Sequence, residues 1–572
     1  MKKVIMVLIP IVLILIIGGV FVGGQLIEKY SYSEEREDLY EYFHISNEEE
    51  VSIVLQDELV EEKAVLVDGI CYFDLDTVHK YFNERFYVDR VEGLLLFTTP
   101  TEIIRTTLGT SVYAVDGAET EAGYCLSFAG GAGEDMVYYI AADFVKQYTN
   151  FSYEVFAEPN RMQVYTQWPE RTVADVNKEN AVRKLGGIKS PILTDVAVGE
   201  TLVVLEKMET WCKVKTMDGF IGYIENKFLE NERVETPVPV TDYAEPEYTS
   251  LTKDHKIALG WHAVYGPAGN DTLGEVAANA PGMTVISPTW FSMSDNEGNF
   301  QSFAQAAYVE KAHNMGLEVW AAADNFNYKN NNGAEVDTQK VLSSTTTRTR
   351  LVEGLVAEAL QYGLDGINID FEEIDASCGE DYVQFLREMS IQCRENGLVF
   401  SVDVPVPFHF NEQYDLEEQG VIADYVIIMG YDEHGGGSAQ AGSVASISYI
   451  TQGLDNATEK VPSNKLINAV PFYTRLWKTE GTQVTSRAYG LSAVRGVLSE
   501  YGMTAQWDEE TQQGYASVKV GNALYEMWVE DLQSILAKIN VMQKYDLGGV
   551  AAWRLGYEIE GIWAVLSAYI AN

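Results

Sequence analysis

At 572 residues with 47% hydrophobic content, the chain is long enough for about three or four domains, each with its own core. A formal net charge of -45 excludes nucleic acid as a partner and disfavours an anionic membrane surface, because phosphate binding needs clustered Lys and Arg. The five cysteines, Cys71, Cys125, Cys212, Cys378 and Cys393, show no C-x-x-C spacing, so they neither require nor exclude a disulfide, and no His or Cys cluster supports a metal site. Lys2 and Lys3 precede Val4 to Gly23, an uncharged run of 20 residues that reads as a membrane span in segment 1–26. The positive-inside rule then places the rest of the chain outside the cytoplasm, a cell-membrane location with the working domains extracytoplasmic; a cleaved signal and secretion is the alternative. The Glu- and Asp-rich segment 27–62 reads as a solvated stalk. Within 63–170 a weak repeat predicts strand, short helix and strand twice over, hence one α+β domain: Tyr72–Tyr81 resembles Tyr139–Tyr148, and Leu94–Thr98 resembles Met162–Thr166.

Segment 178–230 alternates short apolar strands with turn signals such as Met217-Asp218-Gly219. Its order, VGETLVVLE, then Trp211-Cys212-Lys213-Val214, then DGFIGYI, resembles a bacterial Src-homology-3-type small barrel. That resemblance implies a peptide or peptidoglycan-stem ligand, with Trp211 either a binding platform or core. Pro237, Pro239 and Pro246 mark 231–254 as an extended linker.

From residue 255 to 572, short apolar strands alternate with helical stretches, the pattern of a parallel sheet wrapped by helices. Eight strand candidates, 257–261, 284–288, 317–323, 366–372, 398–404, 425–429, 466–470 and 548–553, predict an α/β fold of the (β/α)8 TIM barrel class. Its site would lie where the strands end, at Trp290, Asp324, Glu372, Asp403, Tyr431, Asp432, Tyr473 and Trp553. Val494 to Trp528 reads as a small inserted lobe able to wall one side of the cleft.

The most informative stretch is Leu364–Ile374. In a strand, Asn368, Asp370 and Glu372 share one face while Ile367, Ile369 and Phe371 share the other. Three polar groups on a face backed by an apolar one point to a functional site; an acidic strand end facing water is the alternative.

Asp365-Gly366-Ile367-Asn368-Ile369-Asp370-Phe371-Glu372 resembles the D-G-x-D-x-D-x-E signature of family 18 glycoside hydrolases, with Asn368 where the family usually carries Asp. Met429-Gly430-Tyr431-Asp432 resembles the family's M-x-Y-D, and Trp553 its tryptophan on the eighth strand. Pro471-Phe472-Tyr473, Arg475, Trp477 and GGVAAWRLG from Gly548 resemble its bacterial wall and spore-cortex branch. The resemblance implies a retaining N-acetylglucosaminidase in which the substrate's own acetamide attacks the anomeric carbon. Glu372 would be the general acid, Asp370 would orient the acetamide and keep Glu372 protonated, and Tyr431 would donate to the acetamide oxygen. Asn368, Trp553, Met429, Asp432, Tyr473, Arg475 and Trp528 would contact substrate, with no metal or other cofactor implied. His434 reads as an exposed loop residue. Asn368 cannot share a proton with Asp370, which predicts an altered pH dependence. The partners implied are an N-acetylglucosamine-containing polysaccharide, peptidoglycan or chitin, and the membrane through the N-terminal helix. A non-catalytic N-acetyl-sugar-binding protein on the same barrel is the second reading, against which Glu372 stands.

Overall fold

The computed structural model describes residues 28–239, 241, 243–326 and 336–571, together with Ile16, Val20, Val22 and Gln25. Two compact units emerge, one of Met1–Phe86, Thr106–Tyr113 and Glu119–Glu245, the other of Tyr87–Arg105, Ala114–Ala118 and Pro246–Asn572. Most of the apolar run Val4 to Gly23 lies outside the described residues; among those described, no helix is long and apolar enough to cross a membrane.

The first unit holds a seven-stranded sheet in which Glu50–Leu55 lies between Arg161–Tyr165, parallel to it, and Glu58–Val67, antiparallel to it. This corrects the expectation of a solvated stalk over 27–62. Val51, Ile53 and Val54 are buried, as is Phe43 before them. The run of glutamates before Val51 masked an apolar strand that alternates only over a few residues. The repeat is real in its first half only: Ile70–Asp74 pairs antiparallel with Val137–Ala141, Phe73 facing Ile140, and each strand runs directly into a helix. In the second half the copies diverge, since Arg161–Tyr165 joins this sheet whereas Leu94–Thr98 belongs to the other unit. A second sheet of seven short strands spans Arg171 to Glu235, with the order expected of the small barrel at its centre: Trp211–Lys215 pairs antiparallel with both Thr201–Lys207 and Ile221–Glu225. Its core of Val182, Leu202, Val214 and Ile224 continues into Phe43 and Val54.

The second unit is built on eight strands: β1 (Ile257–His262), β2 (Val285–Met293), β3 (Glu318–Asp324), β4 (Gly366–Asp370), β5 (Val399–Pro405), β6 (Tyr425–Met429), β7 (Leu466–Pro471) and β8 (Gly549–Trp553). Each pairs in parallel with the next, and β8 pairs with β1, so the barrel closes and no edge remains. Period-two alternation splits its residues between two cores. Leu259, Trp261, Trp320, Tyr425 and Ile427 fill the interior, while Ile367, Ile369, Val402 and Val404 pack outward against the helices.

The inserted lobe begins earlier than the expected Val494. Tyr473–Glu480 and Gln483–Gly490 form a hairpin whose first strand pairs with Ala523–Val529, so the lobe's sheet starts immediately after β7.

Residues Tyr87–Arg105 dock on helices α1 (Thr345–Tyr362) and α2 (Gly379–Glu395). Asp89 accepts from the Thr345 backbone N–H and hydroxyl, both at 2.6 Å, and Glu92 accepts from the Thr346 N–H at 2.7 Å. These carboxylates occupy the donors left open at the start of α1. Behind them Arg348, fully buried, makes a two-point ion pair with Glu388 at 3.0 Å and donates to the Leu342 carbonyl at 2.6 Å. Removing one member of such a pair leaves the other charged and dry. Arg348→Ala is therefore expected to lower unfolding free energy by about 3–5 kcal/mol, read from chemical denaturation midpoints.

Candidate active site

The interior face of β4 ends in Asn368 and Asp370, and Glu372 follows at the strand's C-terminal end, beyond which Glu373 adopts a left-handed φ of 53°. Asp324, ending β3, is the register neighbour of Asp370. Asn325, one residue on, grips the backbone of Glu372 from both sides: its Oδ1 accepts from the Glu372 N–H at 3.0 Å and its Nδ2 donates to the Glu372 carbonyl at 2.9 Å. A side-chain amide thereby fixes the main chain carrying the glutamate. Asp324, Asp370, Glu372, Tyr431, Asp432 and Trp553 all line one open cavity of about 600 Å³, with Tyr265 and Trp290 at its wall.

Burial sets the electrostatics of this cluster. Glu372 is raised to about 7, first by desolvation and then by the negative fields of Asp432, Glu373 and Asp324. Asp370 is pushed well above the carboxylate range by burial and by Asp403, and Asp403 by burial against the counteracting Asn368 hydrogen bond. Asp324 rises to about 6, again through burial, although the Ser292 hydroxyl donates to it at 2.6 Å. The expected cause for Glu372 is thus corrected: dehydration dominates, and Asp432 rather than Asp370 is the leading charge. No cation pairs with Asp370 or Asp403 among the described residues, so nothing offsets the burial that raises both.

Asn368 is fully buried beneath the cavity and does not line it. Trp261 Nε1 and Ser287 Oγ donate to its Oδ1 at 3.0 and 3.3 Å, which orients the amide so that Nδ2 donates to Asp403 Oδ1 at 2.8 Å. An aspartate here would set two carboxylates against each other in the dry interior; the amide instead supplies Asp403 with a donor.

The model of the glycosyl hydrolases family 18 matches residues 247–558, more than half of the chain. The chain belongs to that family. A bacterial SH3 domain model matches residues 181–230 of this family 18 chain. Among curated proteins it is similar to the cortical fragment-lytic enzyme of Bacillus subtilis, 28% identical over 40% of this chain and 54% of that protein. It is also similar to chitinase 1 of Aphanocladium album, 23% identical over 48% of this chain and 70% of that protein. The chain thus spans about half the length of its Bacillus relative. Among solved structures it resembles the Bacillus cereus spore cortex-lytic enzyme SleL, at 21% identity and a TM-score of 0.49, covering 59% of this chain and 79% of the other.

Of the residues singled out in the family 18 signature, Asp370, Glu372, Tyr431, Asp432 and Trp553 converge on the cavity. Trp553 does double duty, its ring edge-on to Trp261 at 6.0 Å in the barrel core and its other side open to the cavity. The substrate contacts expected of Asn368, Met429, Tyr473, Arg475 and Trp528 are corrected, since none lines the cavity. Met429 is buried within β6. Tyr473 and Arg475 act one step back: the Tyr473 hydroxyl donates to Asp432 at 2.6 Å, and Arg475 Nη2 stands 3.6 Å from the same carboxylate. Trp528 packs on Tyr515 inside the lobe, 5.0 Å between ring centroids. The lobe therefore reaches the site only through its hold on Asp432, whose backbone φ is 57°. His434 is half-buried, bonded to the Ser443 carbonyl at 2.9 Å, rather than exposed. Asp324 and Asp403 carried a signal at strand ends, but nothing local revealed Asn325, whose partner lies 47 residues away.

Proposed function

We propose that this chain is a retaining β-N-acetylglucosaminidase-type glycoside hydrolase acting by substrate-assisted catalysis on peptidoglycan or a related N-acetylglucosamine-containing glycan. The observation that carries the reading is Glu372, a carboxyl raised to about 7 at the mouth of the barrel, sharing one cavity with Asp370 and Tyr431. A glycosidic oxygen leaves only if it receives a proton, and a glutamate raised to about 7 carries one in about half of the molecules at neutral pH and in most of them below it. The acetamide carbonyl oxygen of the bound sugar attacks the anomeric carbon as Glu372 protonates the departing oxygen. Asp370 accepts the acetamide N–H and faces the positive charge of the resulting oxazolinium, while the Tyr431 hydroxyl donates to the acetamide oxygen. Glu372, now a carboxylate, takes a proton from water as that water opens the ring, and two inversions give retention. Trp553 stacks on the apolar face of the sugar.

Similarity to a cortical fragment-lytic enzyme and the bacterial SH3 match support a wall glycan as substrate. The apolar run after Lys2 and Lys3 supports a single-span anchor with both units outside the cytoplasm, where a tethered enzyme meets its own wall. Digestion of purified peptidoglycan and of chitin oligomers side by side, with the new reducing end identified, tests the reading. Release of N-acetylglucosamine reducing ends from peptidoglycan is expected. Binding without any cleavage of either polymer would favour a lectin and overturn it.

The pH dependence follows from the same group. Because Glu372 must be protonated to act, kcat/KM is expected to fall about tenfold per pH unit above about 7 and to level off below it. A profile with no alkaline fall would remove Glu372 from the role of acid.

A further inference from the structure

Outside the barrel, the first unit contains an open cavity of about 380 Å³ whose lining combines aromatic rings with positive charge. Tyr165 and Gln163 come from the strand Arg161–Tyr165, Tyr153 from its antiparallel neighbour Ser152–Phe156, Lys146 from the end of a short helix, and Trp168 and Arg171 from the segment that enters the second sheet.

Three observations mark it as a site for a ligand. Gln163 is 2% exposed, and its amide nitrogen donates to the Val54, Gln56 and Val164 carbonyls at 2.9 to 3.2 Å. With the amide so oriented, the Oε1 of this cavity-lining residue is left with no hydrogen-bond partner. A buried amide oxygen without a donor is costly in a folded chain and is relieved by a donor from a bound molecule. Secondly, Arg171 Nε is likewise buried and unpartnered, and neither Arg171 nor Lys146 forms an ion pair among the described residues. Two cations without a carboxylate partner in one cavity, Lys146 lying only over the Tyr153 ring at 5.8 Å, are notable on a chain of net charge -45, where carboxylates outnumber bases two to one. Lys215 lies behind, 4.7 Å from the centre of the Tyr165 ring, with its charge held by Asp57. Thirdly, Trp168 is half-exposed, lines the cavity and stacks on no other ring among the described residues. Glu154 is the one carboxylate in the lining, and it is exposed at the rim.

An indole face accepts the C–H face of a pyranose, an orphan amide oxygen accepts a sugar hydroxyl or amide N–H, and a guanidinium with an ammonium accepts a carboxylate. From this combination we infer that the cavity binds a saccharide bearing a carboxylate, independently of the catalytic cleft. A neutral chitin oligomer satisfies the ring and the amide but leaves the two cations unpaired. A glycan whose sugar carries an acidic ether substituent satisfies all of them. The site would hold the enzyme on an acidic glycan while the barrel works elsewhere on the polymer.

The test is titration calorimetry on the full chain carrying Glu372→Gln, which slows turnover by about 10²-fold or more, with the disaccharide N-acetylglucosaminyl-N-acetylmuramic acid and with chitobiose as separate probes. The expected result is that Trp168→Ala in this background removes one equivalent of acidic disaccharide bound and leaves chitobiose binding unchanged. Arg171→Gln and Lys146→Gln, which keep the aromatic lining, should each weaken that equivalent at least tenfold. Far-ultraviolet circular dichroism identifies any variant that fails to fold, and the two charge variants then decide the matter. An unchanged number of equivalents across all three variants would overturn the site, and equal affinity for chitobiose at the Trp168-dependent site would overturn its charge selectivity. Loss of an equivalent that depends on Trp168 stands even if the barrel cleaves nothing, so this result and the hydrolase reading fail separately.

Discussion

Replacing Glu372 by glutamine is expected to lower kcat on a β-linked N-acetylglucosaminyl oligosaccharide by about 10²- to 10⁴-fold with no loss of folding stability. Glutamine keeps the volume and the backbone clamp from Asn325, which bonds main-chain atoms only. The one change is a carboxyl that no longer has a proton to give. The deficit should shrink on an aryl glycoside with a strongly acidic phenol as leaving group, because such a group departs without protonation. Equal loss on both substrates would mean that the variant had damaged binding rather than proton donation, and unchanged turnover would dismiss the assignment.

Asp370→Asn is expected to reduce kcat by about 10²- to 10³-fold while leaving the thermal midpoint unchanged or slightly higher. The catalytic loss arises because an amide bears no charge to set against the oxazolinium. Stability moves the other way because Asp370 is a buried acid without a cation, beside Asp403, and one of its oxygens has no hydrogen-bond partner. A catalytic carboxylate held at a cost to folding leaves this signature, whereas a structural one loses both activity and stability when neutralised. Kinetics on soluble oligosaccharides alongside calorimetric melting separate the two cases.

The different behaviour expected of Arg348→Ala has the same root. Arg348 and Glu388 are also buried, but they are paired at 3.0 Å, so removing one leaves an uncompensated charge. Asp370 and Asp403 have no such cation among the described residues, and burial raises both above the carboxylate range, so neutralising Asp370 relieves a buried charge rather than stranding one.

Much of this was legible along the chain because it depends on neighbours in sequence. The alternation of Asn368 and Asp370 against Ile367 and Ile369 follows from strand geometry alone, and each of the eight barrel strands is a local apolar run. The signature around Glu372, the M-x-Y-D segment and Trp553 were readable for the same reason. What the sequence could not carry were relations across the barrel and between distant segments. Asp324 and Asp370 become neighbours only through the register of β3 on β4, and Asn325 clamps Glu372 only once those strands align. The raised pKa of Glu372 comes mainly from its dehydration, which no residue type announces. Likewise the glutamate-rich start of the first unit concealed a buried strand, and the hairpin at Tyr87–Arg105 supplies the cap of a helix that begins some 250 residues later. Local period and side-chain chemistry are written in one dimension; burial, register and charge proximity exist only after the chain has closed on itself.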